Sequence, residues 1–250
     1  HVDTPPLIAE RRLAVVTDRG AVRVYEISGA DAAQPLAKVA ERSAEGPQDL
    51  VRFSLLSGAQ LWTAGDHLAR FDVQTAMGQL TPRAVSDNDA GDVFLQAPIV
   101  AGETLFHVRY KPGLPGVLVS AVDAQAGKRI WQARLGTPPA GEPVVTASPP
   151  GVTLLSAAGD LFRLEAAAVR GRTAVSAPAA AIDPTQQGEA PRALGHRVLL
   201  PDGAAVLSAG EGGDRWFVLD PKADAPKWSL VSLSQPLSCG PVLFGDGLLA

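Results

Sequence analysis

The sequence has very little of the residue types from which disulfide frameworks and metal clusters are built. Its 250 residues include one cysteine, Cys239, and one asparagine, Asn88. A single cysteine excludes an internal disulfide and a thiolate metal cluster, and it leaves the redox compartment open. Aromatic residues make up only 5% of the chain. No apolar run approaches the ~18 residues of a membrane-spanning helix, so no transmembrane segment is predicted.

Positive charge is also scarce relative to negative charge. There are 22 lysine and arginine residues against 26 aspartate and glutamate residues, giving a formal net charge of −4. A protein that binds nucleic acid needs a basic surplus to neutralise phosphates, so nucleic acid is not predicted as a partner. The chain is 46% hydrophobic and 19% charged, which is typical of a folded globular protein.

Glycine and proline are abundant, at 25 and 21 residues, and this predicts many turns and few long helices. A recurring pattern places a proline seven residues before an apolar residue that opens a second apolar run, as in Pro6 to Leu13 and Pro98 to Leu105. We place the repeat starts near residues 6, 54, 98, 143, 191 and 241, at intervals of 44 to 50 residues. Repeats of this length predict the blades of a β-propeller.

Each repeat consists of short strand patterns separated by turn signals. Apolar and polar residues alternate in Val22–Ile27, after the turn Asp18-Arg19-Gly20, as in a half-buried strand. We therefore predict an all-β propeller domain over residues 1–250, with five complete four-stranded antiparallel blades and the start of a sixth. Because the pattern is unfinished at residue 250, we expect the chain to be a fragment. The alanine-rich segment 164–182 is predicted to carry a short helical turn at 165–169 and to replace the outer strand of the fourth blade.

An acidic residue closes the third predicted strand of every complete repeat. These residues are Glu26, Asp72, Asp123, Glu165 and Asp220. Aspartate in this position commonly accepts hydrogen bonds from the backbone of the following turn, and we predict that role here.

The third repeat carries a motif with a specific spacing. Asp123 is followed by Gly127-Lys128, then by Trp131 three residues after the lysine and by Gly136 five residues after the tryptophan. This pattern resembles the tryptophan-docking motif of the PQQ-like (quinoprotein-type) β-propeller repeat family. The fifth repeat matches it loosely through Asp220 and Trp228. The resemblance implies that Trp131 and Trp228 stack between blades, and we also predict core positions for the inner-strand residues Trp62 and Trp216.

Two functions from different classes follow from this resemblance. Members that resemble the outer-membrane assembly lipoprotein are non-catalytic scaffolds in the periplasm or cell envelope of bacteria, and they imply a protein partner and no cofactor. Other members are dehydrogenases that hold PQQ with calcium. The single cysteine cannot form the vicinal disulfide of many such enzymes, and a single asparagine makes amide ligands scarce. The scaffold is therefore the prediction, and a PQQ- and calcium-dependent dehydrogenase with its ligands in missing blades is the alternative.

The remaining candidates for chemistry are the histidines and one acidic loop. His1, His67, His107 and His196 lie in different repeats without metal-ligand spacing, so no zinc site is predicted and solvated or capped histidines are expected. The loop 87–92 departs from the EF-hand pattern at Gly91, where an oxygen ligand is required. We expect it to be an exposed loop between blades.

Overall fold

The computed structural model describes residues 2, 5–29, 33–44, 52–87, 91–171, 177–182, 196–200, 202–209, 213–220, 226–237, 240, 242–244 and 247–249. The chain forms two compact units, His1–Arg134 and Leu135–Ala250. Short antiparallel strands dominate both units, as the sequence predicts. The described residues contain one short α-helix and one 3-10 turn. No helix among them is long and apolar enough to cross a membrane.

The first repeat is a four-stranded antiparallel sheet. Its strands are β1 (Leu7–Ala9), β2 (Arg12–Val16), β3 (Val22–Ile27) and β4 (Leu36–Arg42). In β3 the side chains of Val22 and Val24 are buried while that of Arg23 is exposed, as its alternating pattern predicts. The β2–β3 turn is closed by Gly20, whose φ of +82° favours glycine.

The second repeat has the same order of strands. They are β5 (Phe53–Ser57), β6 (Gln60–Ala64), β7 (Leu68–Gln74) and β8 (Gln79–Arg83), with a 3-10 turn at Thr75–Met77. The outer strands β4 and β8 meet in a single parallel pair, Glu41 with Gln79, which joins the two blades into one eight-stranded sheet. One core of this unit combines Val22 and Val24 of the first repeat with Leu61 and Phe71 of the second.

The third repeat completes the first unit. Its strands are β9 (Val93–Phe94), β10 (Ile99–Ala101), β11 (Thr104–Tyr110), β12 (Val117–Asp123) and β13 (Arg129–Leu135). Strand β9 pairs with the end of β11, outside the β10-β11-β12-β13 order. A second core joins Trp62 and Leu68 of the second repeat to Phe94, Leu105 and Val122 of the third. The second blade therefore buries apolar side chains on both of its faces.

The fourth repeat begins the second unit and has three strands. They are β14 (Val144–Ala147), β15 (Pro150–Leu155) and β16 (Leu161–Glu165). The helix α1 (Ala166–Arg170) follows β16, so the predicted helical turn is confirmed. Ala180 forms an isolated bridge with Leu161 at the edge where a regular blade has its fourth strand.

The fifth repeat is again four-stranded, and a hairpin follows it. The strands are β17 (Arg197–Leu199), β18 (Ala205–Ser208), β19 (Arg215–Leu219) and β20 (Trp228–Ser232), and the hairpin is β21 (Val242–Phe244) with β22 (Gly247–Leu249). Val198 lies in the first strand of its blade, although the proline spacing places it in the second. The reason is the tight turn after Leu200, closed by Gly203 at a φ of +88°.

Candidate functional site

The turn 123–127 is held by the Asp123 carboxylate and by a hydrogen bond within its own backbone. Asp123 Oδ1 accepts hydrogen bonds from the backbone N–H groups of Gln125 (2.9 Å) and Ala126 (2.7 Å). The Gly127 N–H donates to the Asp123 carbonyl at 2.8 Å, and Gly127 has a φ of +68°. The predicted turn role of Asp123 is confirmed. At Asp72 that prediction is wrong, because its carboxylate pairs with Arg70 and Arg83 at 3.2 and 2.6 Å instead.

Gly127 also brings two repeats together. A Cβ at this position would overlap the carbonyl oxygen of Ala84, which follows β8. The Ser86 N–H donates to the Gly127 carbonyl at 2.9 Å, and the Ser86 hydroxyl accepts from the Arg129 N–H at 3.1 Å. Glycine is therefore required here for both its φ and its size. This turn docks the third blade onto the segment that leaves the second.

The other motif residues occupy packing positions or the surface. Trp131 lies on β13 and is 9% exposed, while Lys128 is exposed at the turn and its carbonyl accepts the Asp123 N–H. A Cβ on Gly136 would meet no atom within 4 Å, so no close approach requires glycine there.

In the fifth repeat, Trp228 opens β20 and packs in a core with Leu155, Leu161 and Phe217. Asp220 follows β19 and is exposed. Trp62 and Trp216 are buried, as predicted for inner-strand tryptophans.

A buried ionic cluster lies between the second and third repeats, where the sequence predicts an exposed loop and a solvated histidine. The expectation of a solvated histidine is wrong for His107, and the loop 87–92 is buried at its two ends, Asp87 and Asp92. Asp87 and His107 are buried, with His107 Nε2 2.8 Å from Asp87 Oδ2. Leu105, His107 and Arg109 follow one another at every second position of β11, so their side chains project to the same face of the strand. Burial of this face places the charged side chains in the interior, where each must be paired.

Arg109 is the second partner of this cluster. Its Nη2 donates to Asp87 Oδ1 at 2.8 Å, and its Nε lies 2.9 Å from Asp92 Oδ2. The Asp92 carboxylate accepts no hydrogen bond from the described residues, so its contact with Arg109 is a close ion pair without hydrogen-bond geometry. Arg129, which is partly exposed, closes the cluster with a 3.1 Å contact from Nη1 to Asp87 Oδ1. We call Asp87, Asp92, His107, Arg109 and Arg129 the ionic cluster.

The ionisation of the cluster follows from burial and from these contacts. Burial raises the pKa of the Asp87 carboxyl, but the hydrogen bond from His107 and the charge of Arg109 outweigh it and hold that pKa far below its usual value. Burial lowers the pKa of His107, and this outweighs the opposing effect of Asp87. His107 is therefore neutral at pH 7. Its Nε2–H donates to the ionised carboxylate, and its Nδ1 has no partner among the described residues.

The chemistry that this cluster can perform is limited, because both oxygens of the Asp87 carboxylate already accept hydrogen bonds. Asp87 Oδ1 accepts from two arginines and Oδ2 accepts from His107. A carboxylate bound in this way has no oxygen directed at a substrate, and His107 is 1% exposed. The ionic cluster therefore holds the start and end of the loop 87–92 against β11. Of that loop, residues 88–90 lie outside the described part of the chain, as do His1 and Cys239.

The other histidines behave as the sequence predicts. His67 and His196 are exposed, and His67 Nδ1 lies 2.8 Å from Asp66 Oδ1 at the surface. His107 alone among the described histidines is buried. Its place on β11 between Phe106 and Val108, both buried, is the one sequence signal that points to an interior position.

A surface cavity of about 140 Å³ lies between the first and second repeats. Its charged lining comes from Arg19, Arg42, Arg52 and Asp66, and His67 lies beside them. We call it the arginine pocket. Sequence reasoning missed it, because the arginines are spread along 34 residues and do not form a motif. Beneath the charged groups the walls are apolar and include Val16, Ala64 and Phe71.

A second cavity of about 190 Å³ lies in the second unit. It is lined by hydroxyl groups of Thr146, Ser148 and Thr153, with charged groups from Arg163 and Glu165. Asp202, in the turn before β18, adds a second carboxylate. One guanidinium faces two carboxylates in this lining, so its charges are of mixed sign.

The part of the chain that the structure describes offers no calcium site, and the alternative prediction places its cofactor ligands in further blades. Within the described ranges, no three side chains of the His, Cys, Asp and Glu types come together in a way that could hold a metal ion. Asp87 and Asp92, the acids nearest the calcium-like pattern, face Arg109 instead. We therefore derive no step through a metal or a quinone.

No family model matches the chain, and no curated protein matches it in sequence. Solved structures match it over most of its length. BamB from Moraxella catarrhalis is similar at 14% identity, with a TM-score of 0.52 over 96% of this chain and 66% of that one. The computationally designed Ika8 protein has 8% identity and a TM-score of 0.58, covering 97% and 65% of the two chains.

Sqt1 from Chaetomium thermophilum is similar at 15% identity, with a TM-score of 0.55 over 90% of this chain and 60% of that one. This chain thus spans less than two thirds of the length of these structures. Identities this low establish the fold alone. Together with the sheets described above, these likenesses show that the chain has the fold of a β-propeller built from antiparallel blades. Among the described residues the fourth blade has three strands instead of the predicted four.

Proposed function

We propose that this chain is part of a non-catalytic β-propeller scaffold that binds a protein partner. The observation that carries the proposal is the state of its ionisable groups. The buried acid and histidine that could perform chemistry, Asp87 and His107, are bound to each other and to Arg109. Other charged side chains line two surface cavities, the arginine pocket and the cavity of the second unit. A surface site whose lining is dominated by arginine side chains suits recognition of a charged partner.

The architecture supports the same function. Each blade presents loops at both of its ends, and loops on a rigid sheet scaffold are the usual carriers of binding residues. BamB and Sqt1 share this fold, and the function proposed here rests on the site rather than on that likeness. The location that we propose, the periplasm or cell envelope of a bacterium, rests on the resemblance to the PQQ-like repeat family.

The scaffold proposal is tested with the full-length protein in cells. A photo-crosslinking amino acid placed at surface positions of both units, followed by mass spectrometry, is expected to capture one protein reproducibly at neighbouring positions. Cell fractionation is expected to recover the protein with the envelope or periplasm. Crosslinking that yields no recurrent protein from any position contradicts the proposed function.

The absence of catalysis is tested separately. The full-length protein is incubated with PQQ and Ca²⁺, and bound quinone is followed by its absorbance and alcohol oxidation by dye reduction. We expect neither stoichiometric quinone binding nor turnover. Quinone binding with turnover would overturn the scaffold proposal in favour of a dehydrogenase.

A further inference from the structure

We propose that the cavity of the second unit binds a small zwitterion of the α-amino-acid class. The ligand carboxylate is assigned to Arg163, and the ligand ammonium group is assigned to Glu165 and Asp202, all of which line the cavity. This site is distinct from a surface that docks a protein, so the proposed partner and the small ligand can each exist without the other.

The cavity lies where the apolar core between the fourth and fifth repeats ends. Leu155 of β15 pairs with Leu161 of β16, and both pack with Phe217 of the fifth repeat in one core. Side chains two positions apart on a strand project to the same face. Thr153 and Arg163, the next pair on that face, therefore continue it beyond the core, and both line the cavity.

The adjacent row of the same face is open at its centre. Gly151 pairs with Thr146 on one side and with Glu165 on the other, and it contributes no side chain between them. A Cβ on Gly151 would lie 2.7 Å from the Leu164 carbonyl oxygen, so no larger residue fits at this position. The turn between β17 and β18 brings Asp202 to the same cavity from the fifth repeat. The site is therefore built from two repeats within one unit.

One buried hydroxyl group in the lining has no partner among the described residues. The side chain of Thr153 is 1% exposed, and its hydroxyl group forms no hydrogen bond with any residue that the structure describes. By contrast, the Thr146 hydroxyl donates to the Pro149 carbonyl oxygen at 3.1 Å. A buried polar group without a hydrogen bond costs free energy, and a ligand that supplies the bond recovers it. Thr153 therefore indicates that the cavity receives a polar ligand.

The charged groups of the lining are close to one another but are not paired. Arg163 and Glu165 lie two positions apart on β16, with Cα atoms about 7 Å apart. Within the described part of the chain, neither forms an ion pair, and the Glu165 carboxylate does not cap the helix α1 that follows it. Asp202 Oδ1 accepts the Ala204 N–H at 2.9 Å, which orients the carboxylate and leaves Oδ2 as an acceptor. One guanidinium and two carboxylates are thus available to a ligand.

The signs of these charges favour a ligand that carries both a positive and a negative group. Two carboxylates repel a simple anion and Arg163 repels a simple cation, whereas a zwitterion gives each group an opposite charge. The cavity volume of about 190 Å³ is below the ~300–1,000 Å³ of sites for drug-sized ligands, so the ligand is small. The hydroxyl groups of Thr153 and Ser148 suit a polar side chain, and L-serine combines all of these features.

Isothermal titration of the full-length protein with L-serine tests the site. Two analogues each lack one charge, since ethanolamine has no carboxylate and 3-hydroxypropanoate has no ammonium group. We expect one molecule of L-serine to bind per chain. Each analogue is expected to bind at least about tenfold more weakly, because it loses a charge-assisted hydrogen bond.

Two charge variants assign the two ends of the ligand. Arg163→Gln is expected to weaken binding of L-serine about tenfold without weakening that of ethanolamine, which has no carboxylate. Glu165→Gln is expected to weaken binding of L-serine about fivefold, because Asp202 still contacts the ammonium group, and not to weaken that of 3-hydroxypropanoate. A general loss of structure would not produce this crossed pattern.

Thr153→Val tests the buried hydroxyl group. Valine has nearly the same shape as threonine, so this variant is expected to leave the urea midpoint unchanged or to raise it. It is expected to weaken binding of L-serine about three- to fivefold, because the hydrogen bond to the ligand is lost. A fall in the urea midpoint would show that the hydroxyl group serves the folded protein and would overturn its role in binding.

The matched controls are Arg197→Gln and Asp214→Asn. Both residues are exposed on the fifth repeat and lie outside the lining of the cavity. Asp214 directly precedes β19, at the opposite end of its blade from the turn that carries Asp202. Each control removes one charge from the same unit, and its affinity for L-serine is expected to equal that of the wild-type protein. Circular dichroism establishes that all variants are folded.

Three further results would overturn the proposal. They are no binding of L-serine at millimolar concentration, binding of ethanolamine as tight as that of L-serine, and equal affinities of Arg163→Gln and Arg197→Gln for L-serine. The second would make the cavity a site for a cation alone, such as a lysine side chain of a protein. None of them bears on the crosslinking experiment, whose failure removes the scaffold function and leaves the L-serine affinities standing.

Discussion

His107 Nε2 lies 2.8 Å from Asp87 Oδ2, and both side chains are fully buried although 20 residues separate them in sequence. This contact ties β11 of the third repeat to the segment that leaves the second. Arg109 binds the other carboxylate oxygen, so the two repeats share one charged centre. A buried charge that loses its partner is strongly destabilising, which makes the stability of the first unit sensitive to single substitutions here.

Removing the charge of Asp87 is expected to destabilise the protein. Asp87→Asn keeps the size of the side chain but removes a negative charge that balances the buried guanidinium of Arg109. We expect it to lower the free energy of unfolding by about 3–5 kcal/mol. Urea unfolding measures this cost. Asp66→Asn is the matched control, since Asp66 pairs with His67 at the surface and its loss is expected to cost about 0–1 kcal/mol. Equal losses in the two variants would contradict a structural role for the ionic cluster.

The stability of the protein is expected to fall on mild acidification. Because the pKa of His107 is lowered in the folded state, the unfolded state binds more protons once the pH drops below about 6.5. Stability therefore decreases from that pH downward, by at most about 1.4 kcal/mol per pH unit from this group. Asp87 adds a further loss below its usual pKa of 3.8, since its folded-state pKa is lowered.

Urea midpoints at pH 7.5, 6.5 and 5.5 test this dependence. The groups that face His107 are Asp87, Arg109 and Asp92. His107→Asn removes the titrating group and is expected to flatten the profile, although it lowers stability at every pH. A wild-type midpoint that stays constant from pH 7.5 to 5.5 would show that His107 does not titrate abnormally.

Three glycine substitutions separate conformational strain from close packing. Gly136→Ala introduces neither, so its effect is expected to lie within about 1 kcal/mol of zero. Gly78→Ala adds strain alone, because Gly78 has a φ of +64° and open space around it, and it is expected to cost about 1–2 kcal/mol. Gly127→Ala adds an overlap with the Ala84 carbonyl and is expected to cost the most. Equal free energies of unfolding for Gly127→Ala and Gly78→Ala, measured with urea, would show that the turn at Gly127 moves away from Ala84 easily.

Truncation of Trp131 is expected to cost about 3–5 kcal/mol, as for other buried aromatic residues. Trp131 is buried on β13, and alanine would leave a cavity that its neighbours fill only in part. Thermal unfolding of Trp131→Ala, compared with Trp131→Phe, measures the cost, and phenylalanine is expected to retain much of the stability. Met77→Ala, at an exposed position, serves as the control with little effect. A loss below 1 kcal/mol would exclude Trp131 as a packing residue.

Local patterns were sufficient for much of the fold. The alternation in Val22–Ile27, the helical turn after β16 and the turn at Asp123 depend on residues that are neighbours in sequence, and the structure has each of them. The fifth repeat shows the limit of spacing arguments. Val198 keeps the predicted distance from Pro191, but the turn at Gly203 assigns it to a different strand.

The sequence by itself determined the all-β class, the repeat length and the burial of the tryptophans, because periodicity and turn residues act over a few positions. The ionic cluster and the arginine pocket were decided by tertiary structure alone. Asp87 lies in an acidic segment that is typical of a surface loop, and the sequence around His107 predicted a solvated side chain. Only the packing of the third repeat on the second buries them. Arg19, Arg42 and Arg52 share no motif, and they meet because the connections of two antiparallel blades lie at one end. A contact between distant residues depends on how sheets stack, and that arrangement is a property of the whole core rather than of any short segment.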